Sequence, residues 1–214
     1  AKILKSFFKT GPGQYGEGDV FIGVKVPVIR KLVRQFRAMG ANEARHLVRS
    51  PIHEERLAGL LLWVHAFEKG DEQVRRQIFD LYLRHTKHIN NWDLVDLSAP
   101  QIVGHSVNPQ DTALLDSLAA SGLLWERRIA VLASFAYIRQ GLFEPTQRLC
   151  RQLMQDRHDL MHKACGWMLR EIGKRDRATL SGFLEQHARV MPRTMLRYAL
   201  EHYSQEDRQK YMAR

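Results

Sequence analysis

Residues 92–96 read WDLVD and place an indole and a carboxylate four positions apart. On a helix, Trp92 and Asp96 then stand on one face, one turn from each other. A carboxylate beside an electron-rich ring suits a substrate that carries or develops positive charge. A helix start with a buried aromatic is the bland alternative. Asp93 lies about a third of a turn away, in a first turn where an acid is favoured by the helix dipole alone. Asp96 interrupts the apolar series Leu94, Val95 and Leu97. Either a structural partner such as Arg128 satisfies it, or it faces a cationic substrate.

Two further stretches carry similar groups. In LLWERRIAVL (123–132), Trp125 and Arg128 share a helical face, while Arg127 points elsewhere and is expected in solvent. The planar fork of Arg128 can clamp a phosphate or pair with an acid. In HKACGWMLREIGK (162–174), Trp167 shares a face with both Lys163 and Arg170, although a tryptophan at helical spacing is more often core. Trp63, inside LLLWVHAF, reads as core. There is no phosphate loop, dinucleotide fingerprint, HExxH, zinc-type Cys/His set or nucleophile elbow, so metal and nucleotide cofactors are not expected. Glu54 and Glu55 beside His53 are too generic to assign.

The elements that must position these residues are helices. Helical periodicity covers 27–40, opened by Pro27 and stopped by Gly40, then 42–50 with Asn42 as cap, 54–70 and 71–89. Asn90 or Asn91 can cap the helix of Asp96, and Pro109 is expected to open another. Further helices are expected over 125–141, 157–174, 176–188, 192–203 and 204–212, and 19–26, DVFIGVKV, is the one β-like run. A basic residue ahead of a small, apolar ridge recurs at Arg56, Arg128 and Lys163, 72 and then 35 residues apart. That period, with two helices per step, predicts stacked helical repeats over an irregular bundle. Small residues such as Gly59, Ala130 and Gly166 would let the helices pack closely. In such an array Trp92, Arg128 and Lys163 occupy nearly equivalent places along one groove.

The 214 residues carry Lys+Arg 33 against Asp+Glu 23, a net charge of +10. That excess points to a polyanion, nucleic acid before a membrane surface. No apolar run reaches the ~18 residues of a membrane span. The two cysteines, Cys150 and Cys165, fall in apolar helical pattern and suggest neither a bridge nor a metal site, which predicts a reducing, cytoplasmic compartment.

WDLVD (92–96), WERRIAVL (125–132) and KACGWMLRE (163–171), preceded by FIGVKVPVIRKL (21–32), resemble in order and spacing the AlkD-type DNA alkylation repair glycosylases, over nearly the whole chain. The resemblance implies an all-α fold, a right-handed superhelical stack of HEAT-like repeats with a basic concave groove, forming one domain over 1–214. It implies a monomer that binds duplex DNA and excises N3- and N7-alkylated purines without flipping the base. By match to these motifs, Asp96 corresponds to the catalytic aspartate. Trp92 and Trp167 correspond to the indoles that contact the lesion nucleotide, and Arg128 to the site arginine. Tyr15 falls near the family's N-terminal aromatic, in a glycine-rich stretch, GPGQYGEGD, that aligns only with a gap. Lys163, Arg170 and Arg127 are then expected to meet the DNA. A non-catalytic DNA-binding repeat protein and a protein–protein scaffold are the alternatives.

Overall fold

The computed structural model describes residues 2–213, the side chains of Lys2 and Lys5 excepted. Among them the regular structure is helical throughout, as expected, and the one β feature is an isolated bridge between Val20 and Ile52. No helix among the described residues is long and apolar enough to cross a membrane.

Helices beginning at His53, Trp92, Leu124, Asp159 and Arg193 start 39, 32, 35 and 34 residues apart. They alternate with Glu72–Arg84, Ala113–Ala119, Glu144–Gln152, Arg177–His187 and Gln205–Met212. This two-helix step is the cadence of a helical-repeat chain. The packing groups into two compact units, Ala1–Ser106 and Val107–Arg214.

In the first unit, His53–Lys69 packs against Val26–Gln35, Ala41–Val48 and Glu72–Arg84. Gly59 permits the tight approach to Ala41–Val48, since a Cβ there would lie 2.8 Å from the Val48 backbone nitrogen. Trp63 is fully buried, as expected, and its indole N–H donates to the Ala41 carbonyl at 2.8 Å. The second unit is organised around Asp159–Gly173, which packs on Leu124–Ala133, Arg177–His187 and Arg193–Ala199. Gly166 allows the last of these contacts, because a Cβ there would sit 2.5 Å from the Met195 carbonyl oxygen. Cys150 and Cys165 are fully buried here as free thiols. Burial and the neighbouring Cys165 push the Cys150 thiol well above its ordinary range.

One turn recurs with its hydrogen bonds. Ser50 Oγ accepts from Ile52 N at 3.0 Å and donates to Glu55 at 2.5 Å, while Arg56 donates to the Ser50 carbonyl at 3.1 Å. Ser121 Oγ accepts from Leu123 N at 3.1 Å and donates to Glu126 at 2.5 Å, while Arg127 donates to the Ser121 carbonyl at 3.0 Å. The counterpart of Arg56 is therefore Arg127, and the expected phase through Arg128 is corrected by one residue. Asp156 opens the next step in the same way, accepting from His158 N at 2.8 Å.

Other expectations shift at element ends. The 125–141 helix is two, Leu124–Ala133 and Phe135–Ile138, because Ser134 turns its hydroxyl back onto the Val131 carbonyl. The helix after Asn42 begins at Ala41, with Glu43 accepting from the Gly40 N–H. Pro109 lies in a turn closed by Asn108, and the helix starts at Ala113. The β-like run 19–26 forms no strand. The Glu54 carboxylate accepts from the backbone N–H groups of Ile22, Gly23 and Val24 at 3.1, 2.7 and 3.2 Å, serving donors that a neighbouring strand would otherwise take. Gly23 adopts φ 96°, which a side chain disfavours, and Pro27 opens the following helix.

Candidate nucleic-acid interface and acidic site

Trp92–Asp96 is a helix of five residues capped by Asn91, whose side-chain oxygen accepts from Trp92 N at 2.9 Å. Val95 N and Leu97 N close it on the Asn91 and Asp93 carbonyls. Below it, Ser98 Oγ donates to the Leu94 carbonyl at 2.5 Å and meets the fully buried Tyr82 hydroxyl at 2.9 Å. Burial pushes the Tyr82 phenol well up, and the Asp96 charge pushes in the same direction.

Trp92 and Asp96 are both half-buried and share the face expected of them. The Trp92 ring stacks on Phe8 at 5.3 Å between centroids and meets the exposed Phe7 edge-on at 5.7 Å. Phe8 stacks in turn on Phe21 at 4.9 Å, and Phe21 on the His53 ring at 4.4 Å.

Asp93 stands in the first turn of this helix, as expected. It is buried, and its Oδ2 lies 2.8 Å from His53 Nε2. His53 Nδ1 lies 3.2 Å from Asp19 Oδ2. Asp19 also accepts from Arg56 at 2.5 Å, Asn90 at 3.2 Å and Asn91 at 3.1 Å. Burial opposes charge on both groups. The His53 hydrogen bond and the Arg56 charge nevertheless hold the Asp19 carboxyl below its ordinary range. Bonds to Asp19 and Asp93 likewise hold the imidazole above its own. Sequence reasoning passed over His53, Glu54 and Asp19. Their local signal was an acid at each end of the β-like run's contacts, and the partners are 30 or more residues away.

The second unit holds the other candidates. Arg128 is 5% exposed and donates to the Leu160 carbonyl at 2.8 Å. Arg127 is not a solvated side chain. It pairs with Asp156 at 2.6 Å, both groups mostly buried. Lys163 pairs with Asp159 at 2.8 Å, and Arg170 pairs with Glu201. Each of these three cations therefore has its charge partly offset within the chain.

Trp167 is half-buried, not core, and its indole N–H donates to Glu171 at 3.2 Å. Glu171 is itself buried and accepts from Lys174 at 2.6 Å and Arg175 at 3.4 Å, which holds its carboxyl low against the opposing effect of burial. The Trp167 ring lies 6.4 Å from Phe135, over which Arg139 is placed at 4.4 Å. Tyr15 is half-buried in the glycine-rich turn. That turn folds onto itself at Gly16, where a Cβ would lie 2.4 Å from the Phe8 carbonyl.

The fold matches a solved structure described as a predicted DNA alkylation repair enzyme from Enterococcus faecalis. The TM-score is 0.70 at 13% identity, over 96% of this chain and 95% of that one. No curated protein matches the sequence. The family model described as DNA alkylation repair enzyme matches residues 1–203. With that match over almost its full length, the chain belongs to the DNA alkylation repair enzyme family.

Proposed function

We propose that this protein is a DNA glycosylase that hydrolyses the N-glycosidic bond of N3- or N7-alkylated purines in duplex DNA, with Asp96 as its catalytic carboxylate. One observation carries the reading. Trp92 and Asp96, four residues apart on one short helix, are both half-buried, while the neighbouring acids Asp19 and Asp93 are buried.

Alkylation at N3 or N7 makes the purine cationic and already a good leaving group, so no general acid is needed. As the bond breaks, positive charge moves to the deoxyribose. The Asp96 carboxylate stabilises that oxocarbenium-like sugar and aligns a water for attack at the anomeric carbon. The Trp92 face favours the same charge by ~0.5–2 kcal/mol, and Trp167, on the second unit, is assigned a DNA contact by the family resemblance. Arg128, Lys163 and Arg170, all on the second unit, are assigned to phosphate contact by the family resemblance, as Tyr15 is to DNA contact. The base leaves without being turned into a pocket. The net charge of +10 supports a duplex partner bound with little sequence preference and strong salt dependence.

The test is release of free 7-methylguanine from methylated duplex DNA, with Asp96→Asn as control. Loss of release in the variant with duplex binding retained supports the assignment, and near wild-type release rejects it. A protein-binding scaffold is the second reading, favoured by the exposed apolar Val28 and Leu32 on Val26–Gln35 and Phe36 at its C-cap. Absence of salt-sensitive binding to random duplex would select it.

A further inference from the structure

The short helix bearing Trp92 and Asp96 is too small to hold its own geometry. Isolated helices below ~12 residues are marginal in water, and this one has five residues. Its anchoring converges on one buried imidazole. Asn91, the cap, donates to Asp19, and Asp93 meets His53, so both residues flanking Trp92 are tied to the Asp19–His53 pair. The indole face is tied to the same place through Phe8 and Phe21, the latter stacked on the His53 ring.

We propose that His53, held as an imidazolium between Asp19 and Asp93, is a positioning residue that fixes the Trp92–Asp96 helix and through it the Asp96 carboxylate, and that loss of its proton releases that helix. The inference rests on Asp96 being the catalytic group. Both ring nitrogens face carboxylate oxygens, at 3.2 and 2.8 Å. A neutral imidazole has one N–H and would turn a lone pair toward one of them. Charge counting agrees. The cluster holds the carboxylates of Asp19 and Asp93 against Arg56 and His53, and it is neutral only when His53 is protonated.

The groups facing His53 are few. Asp19 approaches from the loop before Val20 and Asp93 from the site helix. On its own helix, Arg56 is engaged by Asp19 and the carbonyls of Ser50 and Pro51, and Glu54 by three backbone N–H groups. Phe8 and Phe21 are uncharged. Asp19 and His53, bonded to each other, therefore form one coupled set. The raised imidazole and lowered Asp19 carboxyl are the directions that set requires.

The experiment uses the full chain with 15N-labelled histidine and tryptophan. The His53 ring nitrogens and the Trp92 indole N–H, assigned with Trp92→Phe, are followed from pH 6 to 9. Single-turnover release of 7-methylguanine at saturating enzyme is measured over the same range. His53 is expected doubly protonated at pH 7.5, with the Trp92 signal and the rate constant both changing as it loses its proton. Asp93→Asn should move that common midpoint to lower pH by at least ~1 unit, a shift that a purely structural role would not produce. His53→Gln should slow release at least ~10-fold at saturating enzyme while duplex affinity stays within about twofold, as misplacement of a reacting group by ~1 Å does.

A neutral His53 at pH 7.5, or a Trp92 signal indifferent to its titration, overturns the proposal. So does a rate that Asp96→Asn abolishes but that ignores His53. If the wild type releases no base while the His53 and Trp92 signals titrate together, the glycosylase reading falls and the coupling stands.

Discussion

Glu54 offers the sharpest test of how the site's loop is held. Its carboxylate is buried and serves three backbone donors, with Oε1 taking Gly23 and Val24 and Oε2 taking Ile22. Each hydrogen bond to a charged acceptor contributes ~1.5–3 kcal/mol. Simple addition overstates the total, because Ile22 is exposed and Gly23 and Val24 are half-exposed, so water can replace part of what is lost. Glu54→Ala should therefore cost about 3–4 kcal/mol. Glu54→Gln keeps the oxygen used by one or two of the donors but turns an NH2 group toward the remainder. That is one lost bond and a donor facing a donor, about 1.5–2 kcal/mol. Urea unfolding followed by circular dichroism reads both. With a slope of about 2 kcal/mol/M, the alanine variant should lower the midpoint by ~1.5–2 M and glutamine by about half as much. An alanine effect below ~1 kcal/mol, or a glutamine effect equal to alanine's, would refute this account of the 22–24 segment.

Four further outcomes are expected. Asp96→Asn should slow 7-methylguanine excision at least ~100-fold with duplex binding retained, measured by single-turnover release and fluorescence anisotropy. Gly166→Ala should destabilise by ~1–3 kcal/mol in the same urea assay, because the new methyl meets the Met195 carbonyl and the Tyr198 Cβ, which lies 2.6 Å away. Trp167→Ala should impair excision while the circular dichroism spectrum is kept; unfolding instead would make its role packing. Stability should also follow pH on both sides. The lowered Asp19 contributes stability that is present above 3.8 and lost as pH falls through its folded value. The raised His53 contributes stability that is present below 6.5 and lost as pH rises through its folded value. Urea midpoints flat from pH 3 to 9 would contradict both.

The helical fold and its step were legible because they are written in local pattern: apolar spacing, caps and small residues such as Gly59 and Gly166. The placement of Trp92 and Asp96 on one face followed from a spacing of four. What escaped was written at long range. Asp19, His53 and Asp93 look like unrelated polar residues until the chain brings positions 34 and 40 residues apart into contact. The 19–26 run imitated a strand because β-branched residues alternate along it, but its backbone donors at 22–24 go to the Glu54 side chain. The doublet Arg127–Arg128 left the repeat phase ambiguous by one residue, and only the bond from Arg127 to the Ser121 carbonyl resolves it.

The sealed thiols have a chemical consequence for a member of an alkylation repair family. Methylating agents attack proteins first at sulfur, and the reactive form is the thiolate. Cys150 and Cys165 present no surface to small electrophiles in the folded state, and the deprotonated form of Cys150 is suppressed. While the fold is intact, those sulfurs are shielded from small alkylating electrophiles.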